Sequence, residues 1–194
     1  MPIHPGHGPT RRALCGGLMG LLIALAPLTT SGETPVESLK VAYLYHFTHF
    51  IDWPDPPPGD SFVIAVIGDD ALGEALRTLE REQRRAEERP IGIRVIENRA
   101  TASRQRFEDC QILFVGAAAQ GQLDRILAAV ASRPVLLVGD SPGLARRGVA
   151  INFFLKLDIL GEGERLRFEM NPAALAGRGL KVSSQLYEVA RVLP

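Results

Sequence analysis

The sequence has 194 residues, a formal net charge of zero at pH 7 and 46% hydrophobic residues, a composition typical of a folded globular protein. This length suits one domain with a sizeable buried core. The balance of charges excludes a protein that holds nucleic acid through a strong basic excess, so we expect no nucleic-acid partner.

The first 32 residues have the layout of a secretory signal peptide. Arg11 and Arg12 form a short positive start, and an uncharged, mostly apolar stretch follows at 13–26. That stretch is shorter than the ~20 residues that a membrane-spanning helix needs. We therefore predict a cleaved leader at 1–32, an exported protein and a single domain at 33–194.

Behind this leader, residues 35–51 are predicted to form a helix with apolar side chains around most of its circumference. A capping box at 34–37 begins it, and a tryptophan-proline pair ends it. A surface helix normally has one apolar stripe. We therefore expect this helix either to be buried on all sides or to offer an aromatic face to a partner. The residues of that face would be Phe47, Phe50 and Trp53.

The rest of the chain alternates predicted strands and helices. Strands are predicted at 62–67, 91–96, 112–115, 135–138, 149–157 and 165–170. Apolar residues at helical spacing predict helices around 72–79 and 123–130, and capping residues predict helices after 171–172 and 183–184. The charged stretch 77–89 is predicted to be a solvated helix end and loop. This order predicts an α/β fold, a three-layer sandwich. Its mostly parallel sheet would have five to six strands, helices on both faces and a C-terminal edge hairpin.

Polar residues come directly after the ends of two predicted strands. Asp69 and Asp70 come after the first strand, and Asp140 and Ser141 come after the fourth. The carboxyl ends of parallel strands share one edge of a sheet, where a small ligand can bind. The sequence therefore predicts a ligand crevice whose acidity would favour a cation or an amine.

The catalytic patterns in the chain are weak. Residues 139–143 match G-x-S-x-G, but Pro142 has no backbone N–H for an oxyanion hole. The position of a receiver domain's phospho-accepting aspartate, after the third strand, is occupied by Gly116 and Ala117. We therefore expect no enzyme and attribute the aspartates to turns and helix caps.

Metal and thiol chemistry are also weakly supported. His46 and His49 share a helix face, but two ligands make a poor zinc site, so we expect two surface histidines and no metal or other cofactor. Cys110 lies just before an apolar strand, which favours a buried core thiol.

An ordered set of motifs resembles the YfiR-like family of periplasmic regulators. The similar segments are 40–54, 66–73, 110–116, 134–140 with Gly148, 167–171 (Arg-Phe-Glu-Met-Asn) and 180–186 (Leu-Lys-Val-Ser-Ser-Gln-Leu). They cover nearly all of the chain behind the leader. Some relatives pair a cysteine in the first strand with the one before the third; the first strand here has none.

The resemblance implies a periplasmic regulator that binds the periplasmic part of an inner-membrane signalling protein. The best-known member of the family represses a diguanylate cyclase, which lowers cyclic-di-GMP and biofilm formation. Carried over by motif, Phe153, Glu169 and Gln185 become candidates for the partner surface. Each residue also has a structural alternative. It is core packing for Phe153, a salt link to Arg165 or Arg167 for Glu169, and helix capping for Gln185.

Two other points stay open at this stage. The competing function is a periplasmic small-molecule binding or sensor protein, with its site in the crevice at the strand ends. The sequence also leaves open whether the chain forms a homodimer.

Overall fold

A mixed β-sheet organises the fold. The computed structural model describes residues 36–54, 59–98, 107, 109–131, 133–157 and 163–194. All of them belong to one compact unit, Thr34–Pro194. The predicted leader, the start of the capping box and most of the proline-rich segment after Trp53 lie outside the described residues.

Within these ranges the chain forms five α-helices and ten strands. The helices are α1 (Val36–Phe50), α2 (Asp70–Arg81), α3 (Leu123–Val130), α4 (Pro172–Ala176) and α5 (Ser184–Val189). The strands are β1 (Ile51–Asp52), β2 (Phe62–Ile67), β3 (Arg85–Ala86), β4 (Arg89–Ile96), β5 (Ile112–Val115), β6 (Leu136–Gly139), β7 (Ile151–Leu157), β8 (Glu164–Met170), β9 (Lys181–Val182) and β10 (Arg191–Val192). Short 3₁₀ turns occupy 117–122 and 145–147.

The main sheet has eight described strands in the order β10-β8-β7-β6-β5-β2-β4-β3. The five strands from β7 to β4 run parallel to one another, whereas β7 and β8 form an antiparallel hairpin. The α/β class and this hairpin were predicted correctly. The predicted strand number was too low, and the hairpin is not the edge of the sheet, because β10 pairs with β8 beyond it.

Three of the unpredicted strands, β1, β3 and β9, are only two residues long. β3 pairs with the start of β4 in a small antiparallel hairpin, inside the charged stretch expected to be only a helix end and loop. β1 pairs with β9 in a separate two-stranded sheet. Two-residue strands leave no periodicity in the sequence, so their pairing depends on tertiary contacts.

Helices cover both faces of the main sheet. Along β2, Phe62, Ile64 and Val66 pack into one hydrophobic cluster with α1 and α2, whereas Ala65 and Ile67 pack into a second cluster with α3. Alternation along a strand places successive side chains on opposite faces. A strand buried on both faces must therefore be apolar throughout, which explains its unbroken apolar sequence.

Helix α1 buries a single stripe, not its whole circumference. Its buried side chains are Lys40, Val41, Leu44, Phe47 and Thr48, at the spacing of one helix face. Three further aromatic residues are partly buried against the same core: Tyr43, Tyr45 and Phe50. Burial on all sides, the first of the two expected alternatives, is therefore wrong for this helix.

Candidate functional site

The aromatic residues predicted to form a partner surface lie mostly in the core. Phe47, Trp53 and Phe153 are 0%, 5% and 1% exposed. The Phe47 ring stacks on Phe153 with 6.0 Å between centroids and meets Phe168 edge-on at 5.4 Å. In this conformation these side chains hold α1 against β7 and β8 and offer no surface to a partner, which corrects the expectation for Phe47, Trp53 and Phe153.

Trp53 is held by a specific polar contact as well. Its indole Nε1–H donates to the carbonyl of Gln111 at 3.2 Å, and its ring packs edge-on against Phe62 with centroids 5.1 Å apart. A buried indole N–H needs such a partner. Phe50, at the end of α1, is partly buried and packs on the same core.

The crevice predicted at the strand ends is occupied by a side chain of the protein itself. The ammonium of Lys40, from α1, lies 2.7 Å from the carboxylate of Asp140 and 3.7 Å from that of Asp69. The lysine ammonium also lies 5.5 Å from the centroid of the Phe114 ring. The acidic side chains of this edge are therefore paired with the ammonium of Lys40.

The other predicted crevice residues have structural roles or point to solvent. Asp69 caps α2 by accepting from the backbone N–H of Leu72 at 2.9 Å, and Asp70 is an exposed first-turn residue. Ser141 is buried, with its hydroxyl 3.4 Å from Asp140. The G-x-S-x-G serine is thus a buried turn residue, as the sequence predicted.

Gly68 and Gly116 close the same edge from the β2 and β5 sides. A Cβ on Gly116 would lie 2.5 Å from the carbonyl oxygen of Gly68, closer than real Cβ atoms come. Gly68 has a φ of +77°, the left-handed region that glycine adopts without strain. Backbone therefore fills this part of the predicted crevice.

An exposed apolar surface lies elsewhere, at the end of the β7–β8 hairpin. Leu155 and Leu157 are 45% and 72% exposed, and they continue the strand face that carries the buried Phe153. Val189, on α5, is 58% exposed. We call the cavity of about 700 Å³ bounded by these residues the hairpin groove. It is lined by Phe154, Leu155, Lys156, Leu157, Arg167, Phe168, Val189, Ala190 and Arg191.

Glu169 lies beneath the rim of this groove, in a buried polar network. It is 7% exposed, and its carboxylate accepts from Arg191 Nη2 at 2.5 Å and from Asn152 Nδ2 at 3.2 Å. The guanidinium of Arg191 also lies 4.1 Å from the centroid of the Phe154 ring. The predicted salt link of Glu169 therefore forms with Arg191 of β10, not with Arg165 or Arg167, and it ties β10 to β8.

Gln185 differs from the other motif-derived candidates because it is exposed. Its backbone N–H donates to the capping hydroxyl of Ser183 at 3.3 Å. Gln185 and Val189 are four residues apart on α5, so they share one helix face. This places Gln185 beside a residue of the hairpin groove.

The remaining candidate residues, His46, His49 and Cys110, occupy ordinary surface or core positions. His46 and His49 are exposed on α1, and no group of three or more metal-ligating side chains occurs in the part of the chain that the structure describes. Cys110 is buried and donates to the carbonyl of Phe107 at 3.1 Å, as predicted for a core thiol. Among the described helices, none is long and apolar enough to cross a membrane.

Three residues that the structure makes prominent were not singled out from the sequence. Lys40 is one of several polar residues in a largely apolar helix, and its partners lie far away in the chain. Leu155 and Leu157 looked like ordinary strand residues. Their one signal was that the apolar alternation continues past Phe153 into a segment rich in charge.

Comparison with known proteins gives a clear family assignment. The sequence model of the YfiR/HmsC-like family matches residues 37–191, which is almost the entire described domain. No curated protein matches the chain significantly. This chain belongs to the YfiR/HmsC-like family.

Proposed function

We propose that this protein is a periplasmic regulator that binds and represses an inner-membrane diguanylate cyclase, which lowers cyclic-di-GMP and biofilm formation. The YfiR/HmsC-like family supports this function, since its members are regulators and not enzymes. A leader at 1–32 would deliver the protein to the compartment where the periplasmic part of such a cyclase is accessible.

One observation carries the proposal: the apolar face of the β7–β8 hairpin continues beyond the core. Phe153 is buried under α1, but Leu155 and Leu157, two and four residues further on, are exposed. Contiguous exposed apolar surface on a globular protein is typical of an interaction site. In this proposal the apolar side chains of the partner cover the two leucines and Val189.

The rim of the groove supports a protein partner more than a small ligand. Lys156, Arg167 and Arg191 also line the groove, on the strand face opposite to the two leucines. Arginine is enriched at protein interfaces, so this face can add polar contacts to the apolar ones. Glu169 then acts as a positioning residue, because it holds Arg191 at the rim.

The alternative, a ligand site in the strand-end crevice, has little structural support. Lys40 forms ion pairs with the two aspartates that would have bound an amine. A ligand there would have to displace a buried ammonium. A signal that releases the regulator from the cyclase must bind the free regulator more tightly than it binds the complex.

Site-specific photo-crosslinking tests the proposal directly. A photoreactive amino acid at position 157 should give an adduct with the membrane cyclase in intact cells. The same residue at position 129, an exposed alanine on α3 at the other face of the sheet, should give none. Equal yields at both positions would overturn the proposed surface, and an adduct with a second copy would assign the groove to a homodimer.

A further inference from the structure

A second groove, separate from the hairpin groove, is lined by three arginines and no acidic residue. It has a volume of about 470 Å³ and lies between the 145–147 turn and α4. Arg146 and Arg147 approach it from the turn, and Arg178 approaches it from the segment after α4. We call it the arginine groove.

Arg178 is only partly compensated by the protein. Its Nη1 donates to the carbonyl of Ala174 at 2.9 Å, and its Nη2 donates to that of Gly148 at 3.2 Å. Its buried Nε–H has no acceptor among the described residues. Burial lowers the pKa of this guanidinium, and no carboxylate of the described chain lies within ion-pair distance. A buried N–H without an acceptor is costly, so an arginine in this state favours an external anion.

The other two arginines leave charge available to the same space. Arg146 is exposed and forms no ion pair with a described residue. Arg147 contacts Asp124 at 3.1 Å, but that carboxylate is 89% exposed, and such surface pairs are weak. Three guanidinium groups therefore border one groove with little negative charge to balance them.

The fold holds these groups in place. Asn171 caps α4 through Ala174, and its Nδ2 donates to the carbonyl of Ala145 at 2.7 Å, which joins α4 to the arginine turn. Gly148, with φ +104°, ends that turn in the left-handed region and supplies one of the carbonyl groups that hold Arg178. The groove is thus built on linked backbone segments, and its shape is largely set before any ligand arrives.

We propose that the arginine groove binds a tetrahedral oxyanion of the phosphate class. Guanidinium groups match the geometry of phosphate oxygens and bind them with paired hydrogen bonds. The apolar floor, which includes Leu127 and Ala131, leaves room for the organic part of a phosphate ester. A free phosphate and the phosphate of an anionic lipid headgroup share this chemistry. The inference is independent of the proposed cyclase partner.

Titration calorimetry with inorganic phosphate tests the site, using protein expressed from the full-length coding sequence. We expect saturable binding that matched additions of sodium chloride do not reproduce. Arg146→Gln should weaken it about tenfold or more, as expected for a lost charge-assisted hydrogen bond. Arg178→Gln should do the same if it folds. Arg146 is exposed and makes no described contact, so its variant tests the site even if Arg178→Gln is unstable.

Arg81→Gln is the matched control. Arg81, on α2, is exposed like Arg146, and its variant loses the same charge; its surface ion pair with Glu74 is weak, and it does not line the groove. Vesicle flotation then distinguishes a lipid headgroup from free phosphate as the ligand. It compares vesicles that contain phosphatidylglycerol with vesicles of phosphatidylcholine alone. Binding to phosphate or selective binding to the anionic vesicles, lost in Arg146→Gln and kept in Arg81→Gln, supports the proposal. Absence of both, or equal affinity in all variants, overturns it.

Discussion

The ammonium of Lys40 lies 2.7 Å from a carboxylate oxygen of Asp140, although the two residues are 100 positions apart in the chain. Both side chains are largely buried, at 9% and 17% exposed. This pair fixes the N-terminal helix over the carboxyl ends of the central strands. It also explains why the acidic edge of the sheet does not need an external cation.

Replacing Lys40 with methionine should lower the free energy of unfolding by about 3 kcal/mol, because Asp140 would keep its charge without its partner. Urea denaturation, followed by the fluorescence of the single tryptophan, measures the change. Lys181→Met removes an exposed lysine and should change stability by less than about 0.5 kcal/mol. Equal stability of the two variants would show that the buried ion pair does not hold α1.

Phe47→Ala should destabilise the fold by about 3–5 kcal/mol, since it removes a fully buried ring that packs on Phe153 and Phe168. His46→Ala, the neighbouring exposed position, should be close to neutral. Thermal unfolding of both variants makes the comparison. If Phe47→Ala kept wild-type stability but lost repression, Phe47 would belong to a partner surface and the core assignment would be wrong.

Gly116→Ala should cost about 1–3 kcal/mol, because its Cβ would collide with the carbonyl of Gly68 at 2.5 Å. Gly121→Ala is the control, since a Cβ built there meets no atom within 4 Å beyond its own local backbone. Chemical denaturation of the purified variants gives both values. A neutral Gly116→Ala would mean that the β2 and β5 ends have room to separate, and the strand-end crevice would again be a candidate ligand site.

Leu157→Asp should abolish repression and leave stability within about 0.5 kcal/mol of wild type, because Leu157 is 72% exposed. An apolar anchor at the centre of an interface is worth about 2 kcal/mol or more, so affinity for the cyclase should fall at least tenfold. Binding to detergent-solubilised cyclase measures the loss. The Ala129→Asp variant carries the same charge on α3 and should bind the cyclase with wild-type affinity. A comparable loss of affinity in that variant would point to a general effect of charge.

The regular elements could be predicted because each burial pattern is local. β2 and β5 are short apolar runs bounded by polar or glycine residues, and α3 shows Leu123, Ile126 and Val130 at helical spacing. The caps at Asn171 and Ser183 were also correct, since a capping side chain and the N–H it binds are two or three residues apart.

The proposed partner surface could not be predicted in the same way. Phe47 and Leu157 are both apolar, and only the packing of α1 on the sheet decides that one is buried and the other exposed. The partners of Lys40 and Glu169 come from elements remote in sequence, and no local pattern pairs Glu169 with Arg191 instead of Arg167. Motif resemblance pointed to Glu169 without indicating that its side chain is buried.

Intracellular cyclic-di-GMP, measured with and without the gene, is the most direct test of repression of a diguanylate cyclase. We expect a clear rise on deletion, reversed by the wild-type gene but not by a leaderless form or by Leu157→Asp. An unchanged level on deletion, in cells shown to produce the protein, would contradict repression of a diguanylate cyclase.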